Sequence, residues 1–212
     1  MMQTVLCYGD SNTWGASPDN TPRMDSHTRW AGVLRDGLGA DYQVVEEGLN
    51  GRTTAQDDPF EGIHKNGRTY LLPCLQTHAP IDLVILMLGT NDLKKRFDVP
   101  ASDVARGIGV LADIILTPRP GADGGASKLL IMSPPPFAPM AGLPFDDMFT
   151  GGEEKSRHLA RFYAEIAVLR GCAFFDAGSV IVSSRLDGIH FDASEHRKLG
   201  AALIPVVQNL LA

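Results

Sequence analysis

Leu83-Val84-Ile85-Leu86-Met87-Leu88 is an apolar run with no polar interruption. A strand with one wet face alternates, whereas an unbroken run suits a strand buried on both faces of a parallel sheet. Shorter apolar stretches occur at 4–8, 42–46, 128–132 and 173–175. The segments between them have helical spacing: Val104, Ile108, Leu111 and Ile115 share one face, as do Leu159, Phe162, Ile166 and Leu169. In the last helix Asp192 and Glu195 have the spacing of a capping box, ahead of a stripe of Leu199, Leu203, Val206 and Leu210. Strands alternating with helices predict an α/β fold, a three-layer α/β/α sandwich around a central, mainly parallel five-stranded sheet. The length of 212 residues suits a single domain over 1–212, without repeats, linkers or low-complexity tracts.

In such a sheet the site is expected beyond the carboxyl ends of the strands. Gly9-Asp10-Ser11-Asn12 follows the first stretch, Gly89-Thr90-Asn91-Asp92 the long run, and Ser133-Pro134-Pro135-Pro136 the next. All three open onto one edge. The loops at 15–27 and 133–152 exceed ordinary length and are expected to supply binding surface or a lid.

Composition narrows the partners. The net charge of −6 argues against a nucleic-acid or anionic-membrane partner, because both require a basic surface. Lys94-Lys95-Arg96 is the only basic run and reads as a solvated turn, with a place on the rim of the site's mouth as the alternative. Cys7, Cys74 and Cys172 form no C-x-x-C pair, so neither a zinc knuckle nor a redox dithiol is indicated, and no cofactor or metal is expected. No secretion signal and no bilayer-length apolar segment are visible, so a cytoplasmic setting is expected.

The chemistry-bearing residues lie far apart. A serine hydroxyl needs a base, and the base needs an orienting carboxylate. Ser11 supplies the hydroxyl, and Asp187-Gly188-Ile189-His190 places an acid three residues before an imidazole. Each has a plain structural reading: Ser11 as a helix N-cap, Asp187 as a turn residue, Asn91 as a turn asparagine. The sharper readings make Asn91 a side-chain amide donor to an oxyanion, with Gly51 adding a backbone N–H where a side chain would obstruct.

Taken in order, Gly9-Asp10-Ser11, Gly48 to Thr54, Gly89-Thr90-Asn91-Asp92 and Asp187-x-x-His190 resemble the four blocks of the SGNH hydrolase, or GDSL-type esterase, family. The resemblance implies the flavodoxin-like fold of that family. It also implies Ser11 as nucleophile, Asp187 and His190 completing the triad, and Ser11, Gly51 and Asn91 forming the oxyanion hole. Asn12 departs from the family's customary leucine and is expected to alter the entrance to the acyl site. Glu46 to Leu49, Met87 to Asp92, Ser133 to Pro136 and Phe175 to Val180 are similar to the bacterial arylesterase and acyltransferase branch. That branch implies a small-molecule ester substrate, acyl transfer to water, alcohols or peroxide, and a homo-oligomer.

Trp14, Phe145, Phe149 and Ile189 are candidates for the substrate walls, with ordinary core packing as the alternative. Deacetylation of sugars, thioester hydrolysis and lysophospholipid hydrolysis are the rival reactions within the family. A metal-dependent phosphoesterase and a non-catalytic binding module are the rivals outside it.

Overall fold

The computed structural model describes residues 2–118, 121 and 125–212. Strands β1 (Gln3–Gly9), β2 (Tyr42–Gly48), β3 (Leu83–Met87), β4 (Lys128–Ser133) and β5 (Ala173–Asp176) form one sheet in the order β2-β1-β3-β4-β5. Every neighbouring pair is parallel, with Cys7 level with Glu46 on one side and Ile85 on the other. The helices are α1 (Ser11–Trp14), α2 (Trp30–Leu38), α3 (Gly67–His78), α4 (Ala101–Ile115), α5 (Gly152–Ser156), α6 (Leu159–Arg170) and α7 (Ala193–Leu211).

The two-residue period of the strands divides their apolar side chains between two cores. Leu6, Tyr8, Val84, Leu86 and Ile131 face α3, α4 and α6, where Leu71, Ile108, Leu111 and Tyr163 meet them. Val5, Cys7, Leu83, Ile85 and Met132 face α2 and α7, meeting Trp30, Leu34, Leu199 and Leu203. This is the α/β/α sandwich expected from the unbroken run at 83–88, whose residues are at most 1% exposed. Each aliphatic side chain so buried contributes about 1.5–3 kcal/mol before conformational entropy is set against it. No helix among the described residues is long and apolar enough to cross a membrane.

Three local expectations are corrected. The buried stripe of α6 is Leu159, Tyr163 and Ala167, and Leu169 is 76% exposed. Tyr163 turns inward because its hydroxyl donates to the Leu88 carbonyl at 2.8 Å, at the end of β3. In α7 the third inward residue is Val207, and Val206 is only partly buried. The capping box does not form, since Asp192 makes no side-chain cap. Its Oδ1 accepts from Ser184 Oγ at 3.0 Å, and Glu195 Oε2 accepts from the Val182 N–H at 3.1 Å. Both acids brace the segment that leads into Asp187 and His190.

The chain leaves β1 towards α2 on one face of the sheet and leaves β3 towards α4 on the other. A crevice therefore opens between the carboxyl ends of these adjacent strands. Ser11 and Asn91 lie on its two sides.

Candidate active site

Ser11 is the first residue of α1, and the N-cap is Asp10 rather than Ser11. Asp10 Oδ1 accepts the Asn12 N–H at 2.9 Å, which leaves the Ser11 hydroxyl free to face the crevice. That hydroxyl lies 2.9 Å from His190 Nε2. His190 Nδ1 lies 2.5 Å from Asp187 Oδ2. The Ser11–His190 contact thus joins residues 179 positions apart in sequence.

Asp187 holds the turn and the imidazole together. Its Oδ1 accepts the N–H groups of Ile189 and His190, both at 2.9 Å, while Oδ2 holds the ring. Burial pushes its pKa up. The hydrogen bond and charge of His190, with the two N–H groups, outweigh burial and leave it below the usual carboxylate value. A carboxylate held ionised at Nδ1 fixes the tautomer that presents Nε2 as acceptor to a serine proton.

The second side of the crevice comes from two cross-braced loops. Asp92, after β3, accepts the Thr54 N–H at 2.9 and 3.1 Å and the Thr54 hydroxyl at 2.5 Å. Asn91 Nδ2 donates to the Arg52 carbonyl at 3.1 Å, which spends one of its two amide hydrogens. The residue with left-handed backbone in this turn is Gly89, at φ +119°, so Asn91 is not there for unusual dihedrals. Arg52 lies over the Tyr8 ring at 4.1 Å and donates to the carbonyls of Gly9, at 2.8 Å, and Glu47, at 2.5 Å. Gly51 is at φ +79°, and a Cβ there would fall 2.3 Å from Glu61 Oε2. Among the described residues neither the Ser11 N–H nor the Gly51 N–H has an acceptor. Two backbone donors and one amide hydrogen of Asn91 therefore remain available beside the serine.

These groups line a cleft of about 710 Å³ together with Trp14, Phe145, Phe149 and Ile189. Both long loops contribute, the first through Ser17, Thr21 and Arg23, the second through Phe145 and Met148. Phe145 meets the His190 ring edge-on at 6.1 Å. Phe149 is 5% exposed and packs on Phe137 and Phe145, so core packing accounts for most of its surface. Asn12 is corrected: it is buried, does not line the cleft, and points its amide at the Ile189 carbonyl at 3.5 Å. That contact ties it to the loop that carries His190.

The basic run is also corrected. Lys94 is 3% exposed, lines the cleft, and pairs with Glu61 at 2.5 Å and Asp58 at 3.6 Å. Arg96 pairs with Asp58 at 2.9 Å, and only Lys95 stands in solvent. Asp58 is fully buried and holds two cations from one short turn. Sequence spacing gives no sign of this, since the partners are 33 to 38 residues apart.

Buried Asp10 and Asp92 both have pKa values raised to about 6, by desolvation above all, and for Asp92 also by the charge of Asp10. The groups that a metal-dependent phosphoesterase would draw on already have other partners. Asp10 caps α1, Asp92 is enclosed by Thr54, and His190 engages Ser11 and Asp187 on its two nitrogens.

The GDSL-like lipase/acylhydrolase family model matches residues 7–198. Among solved structures, the inhibitor-bound aryl esterase of M. smegmatis is 47% identical, with 99% of this chain and 100% of that one covered at a TM-score of 0.93. A carbohydrate acetylesterase family member from Sinorhizobium meliloti is 43% identical, with 99% of each chain covered and the same TM-score. No curated protein sequence matches significantly.

Proposed function

The chain belongs to the GDSL-like lipase/acylhydrolase family, and from that premise we propose that this carboxylic ester hydrolase is a serine esterase acting on small, short-acyl aryl and alkyl esters. One observation carries the reading: a single imidazole lies within hydrogen-bond reach of both Ser11 Oγ and the ionised Asp187. Ser11 attacks the ester carbonyl while His190 Nε2 takes its proton, and Asp187 stabilises the imidazolium. The carbonyl oxygen becomes an oxyanion held by the N–H groups of Ser11 and Gly51 and by the Asn91 amide. Collapse of the tetrahedral intermediate expels the alcohol or phenol, which receives the proton from His190. Water then attacks the acyl-enzyme with His190 as base, releasing the acid and restoring Ser11. An alcohol or peroxide in place of water makes the second half acyl transfer.

The walls support a small substrate. Trp14, Phe145 and Ile189 give the cleft apolar surfaces close to the serine, suited to an aryl or short alkyl group. Ser11→Ala compared with the unaltered enzyme on a chromogenic acetate ester tests the mechanism. Activity that depends on Ser11 supports it, and equal cleavage by both proteins ends it.

One observation favours a second reading, sugar deacetylation. Asn50, Glu61, Lys94, Ser17, Thr21 and Arg23 give the same cleft polar surface, and the Sinorhizobium meliloti relative is a carbohydrate acetylesterase family member. Comparison of kcat/KM for an aryl acetate, an acetylated sugar and an acyl thioester separates the substrates. More than about a tenfold preference for the sugar or thioester, some 1.4 kcal/mol of differential transition-state binding, would reverse the assignment.

A further inference from the structure

Two β-turn types fit the chain path at Gly51, and they aim its N–H in opposite directions. Residues 49–52 form a β-turn closed by the Arg52 N–H donating to the Leu49 carbonyl at 3.1 Å. Its third residue, Gly51, is at φ +79°, and Asn50 is not left-handed, which makes the turn type II. Types I and II differ chiefly by a rotation of the central peptide through about 180°. Here the central peptide is Asn50–Gly51. That rotation would carry the Gly51 N–H from the cleft to the opposite side of the turn.

The carbonyl of this same peptide is held by one side chain from outside. Lys65 Nζ donates to the Asn50 oxygen at 2.7 Å. The C=O and N–H of a trans peptide are coplanar and point in opposite directions, so fixing the oxygen fixes the hydrogen. Lys65 is itself well anchored: its carbonyl accepts the Thr53 N–H at 2.9 Å, and its N–H donates to Gly62 at 3.0 Å. Its stem runs along the turn, with Cδ 3.5 Å from where a Cβ on Gly51 would sit. Lys65 has no ion-pair partner among the described residues, and the Asn50 carbonyl is the one protein acceptor its ammonium has there. The other ties on the turn, Leu49 N–H to Gly9 at 3.1 Å and Asn91 Nδ2 to Arg52, act on the flanking peptides. They leave the central one to Lys65.

We propose that Lys65 is a positioning residue for the oxyanion hole, whose ammonium locks the Asn50–Gly51 peptide in the type II form and keeps the Gly51 N–H turned into the cleft. The inference rests on the reading of Gly51 as an oxyanion donor. A second effect acts in the same direction, since a cation on the carbonyl oxygen polarises the peptide and strengthens its N–H as a donor.

Lys65→Met keeps the stem and removes the ammonium, and Lys65→Arg returns a cationic donor. On a chromogenic acetate ester the methionine variant is expected to lose about tenfold in kcat, less than the hundredfold or more that follows outright removal of a donor. KM is expected to stay near its original value, because the interaction is realised only when charge develops on the oxygen. The arginine variant is expected to recover most of the rate. In ¹⁵N-labelled protein the Gly51 amide resonance is expected to shift or broaden in Lys65→Met and to return in Lys65→Arg. Unchanged kcat in Lys65→Met, an unmoved Gly51 resonance, or equal losses in both variants with a lowered thermal midpoint would each overturn the proposal. Ser11→Ala assayed alongside separates two failures. An active Ser11→Ala protein removes the serine mechanism and this inference with it, whereas an inactive one beside a fully active Lys65→Met protein removes the inference alone.

Discussion

Asn91→Ala removes one donor from the proposed oxyanion site, and the structure indicates how large the loss should be. The Asn91 side chain is buried, and one of its amide hydrogens goes to the Arg52 carbonyl at 3.1 Å. The other is the one assigned to the developing oxyanion. Loss of such a donor costs about 2.7–4 kcal/mol of transition-state stabilisation, so kcat should fall roughly 100- to 1,000-fold. The Arg52 carbonyl also loses its partner, at a cost to stability of about 1 kcal/mol. For a chain of this length that lowers the thermal midpoint by about 2–4 °C. The two effects are separable: stopped-flow hydrolysis of a chromogenic acetate ester gives kcat and KM, and calorimetry gives the midpoint. The expected pattern is a large fall in kcat, a nearly unchanged KM and a small fall in midpoint. A folded Asn91→Ala protein with less than a tenfold loss in kcat would refute the assignment of this amide to the oxyanion.

Two further perturbations test the surroundings of the site. Lys94→Met leaves Asp58 and Glu61 with Arg96 as their remaining cation, and removing one partner of a buried charge cluster should cost about 3 kcal/mol, the low end for a buried pair because Arg96 stays. Urea unfolding measures this, and an unchanged midpoint would show that the cluster contributes nothing. His196 is buried neutral with its pKa lowered to about 3, by desolvation first and then by the charges of His190 and Arg29, and its Nδ1 accepts the Trp30 N–H at 3.2 Å. As pH falls below about 6.5, the unfolded chain takes up a proton that the folded chain refuses down to about pH 3, so this group's contribution to stability is lost through that window. His196→Asn keeps an acceptor for Trp30 and removes the titration. The variant should therefore lose about 2 kcal/mol less stability than the unaltered protein between pH 7 and pH 5. Asp10 and Asp92 act with the opposite sign, since carboxyls raised to about 6 favour the folded state as pH falls from 6 towards 4. They are common to both proteins and cancel in the comparison, and identical pH slopes would refute the role of His196.

Much of this arrangement could be read from the chain because the physics that sets it is local or topological. Unbroken aliphatic runs such as 83–88 mark strands covered on both faces, and parallel connectivity then brings the segments after β1 and β3 to one edge. Ser11, Gly51, Asn91, Asp187 and His190 accordingly line a single cleft. What escaped the reading depends on long-range pairing. Lys94 looks like part of a solvated basic run until Asp58 and Glu61 are brought beside it. Lys65 carries no motif, and only its reach back to the Asn50 carbonyl gives it meaning. Asp192 and Glu195 have capping-box spacing, yet Ser184 and the Val182 N–H compete for them once the loop folds over α7. The α6 stripe departs from its sequence spacing for a related reason, because the hydroxyl of inward-facing Tyr163 bonds a carbonyl 75 residues away.

The proposed mechanism turns on Ser11 as the carrier of the acyl group. Brief reaction with an aryl phosphonate ester, followed by intact-mass measurement and peptide mapping, tests it most directly. One adduct per chain is expected, located on Ser11, formed in step with loss of esterase activity and absent from Ser11→Ala. Full inactivation with the label on another residue, or with Ser11 unmodified, would contradict it.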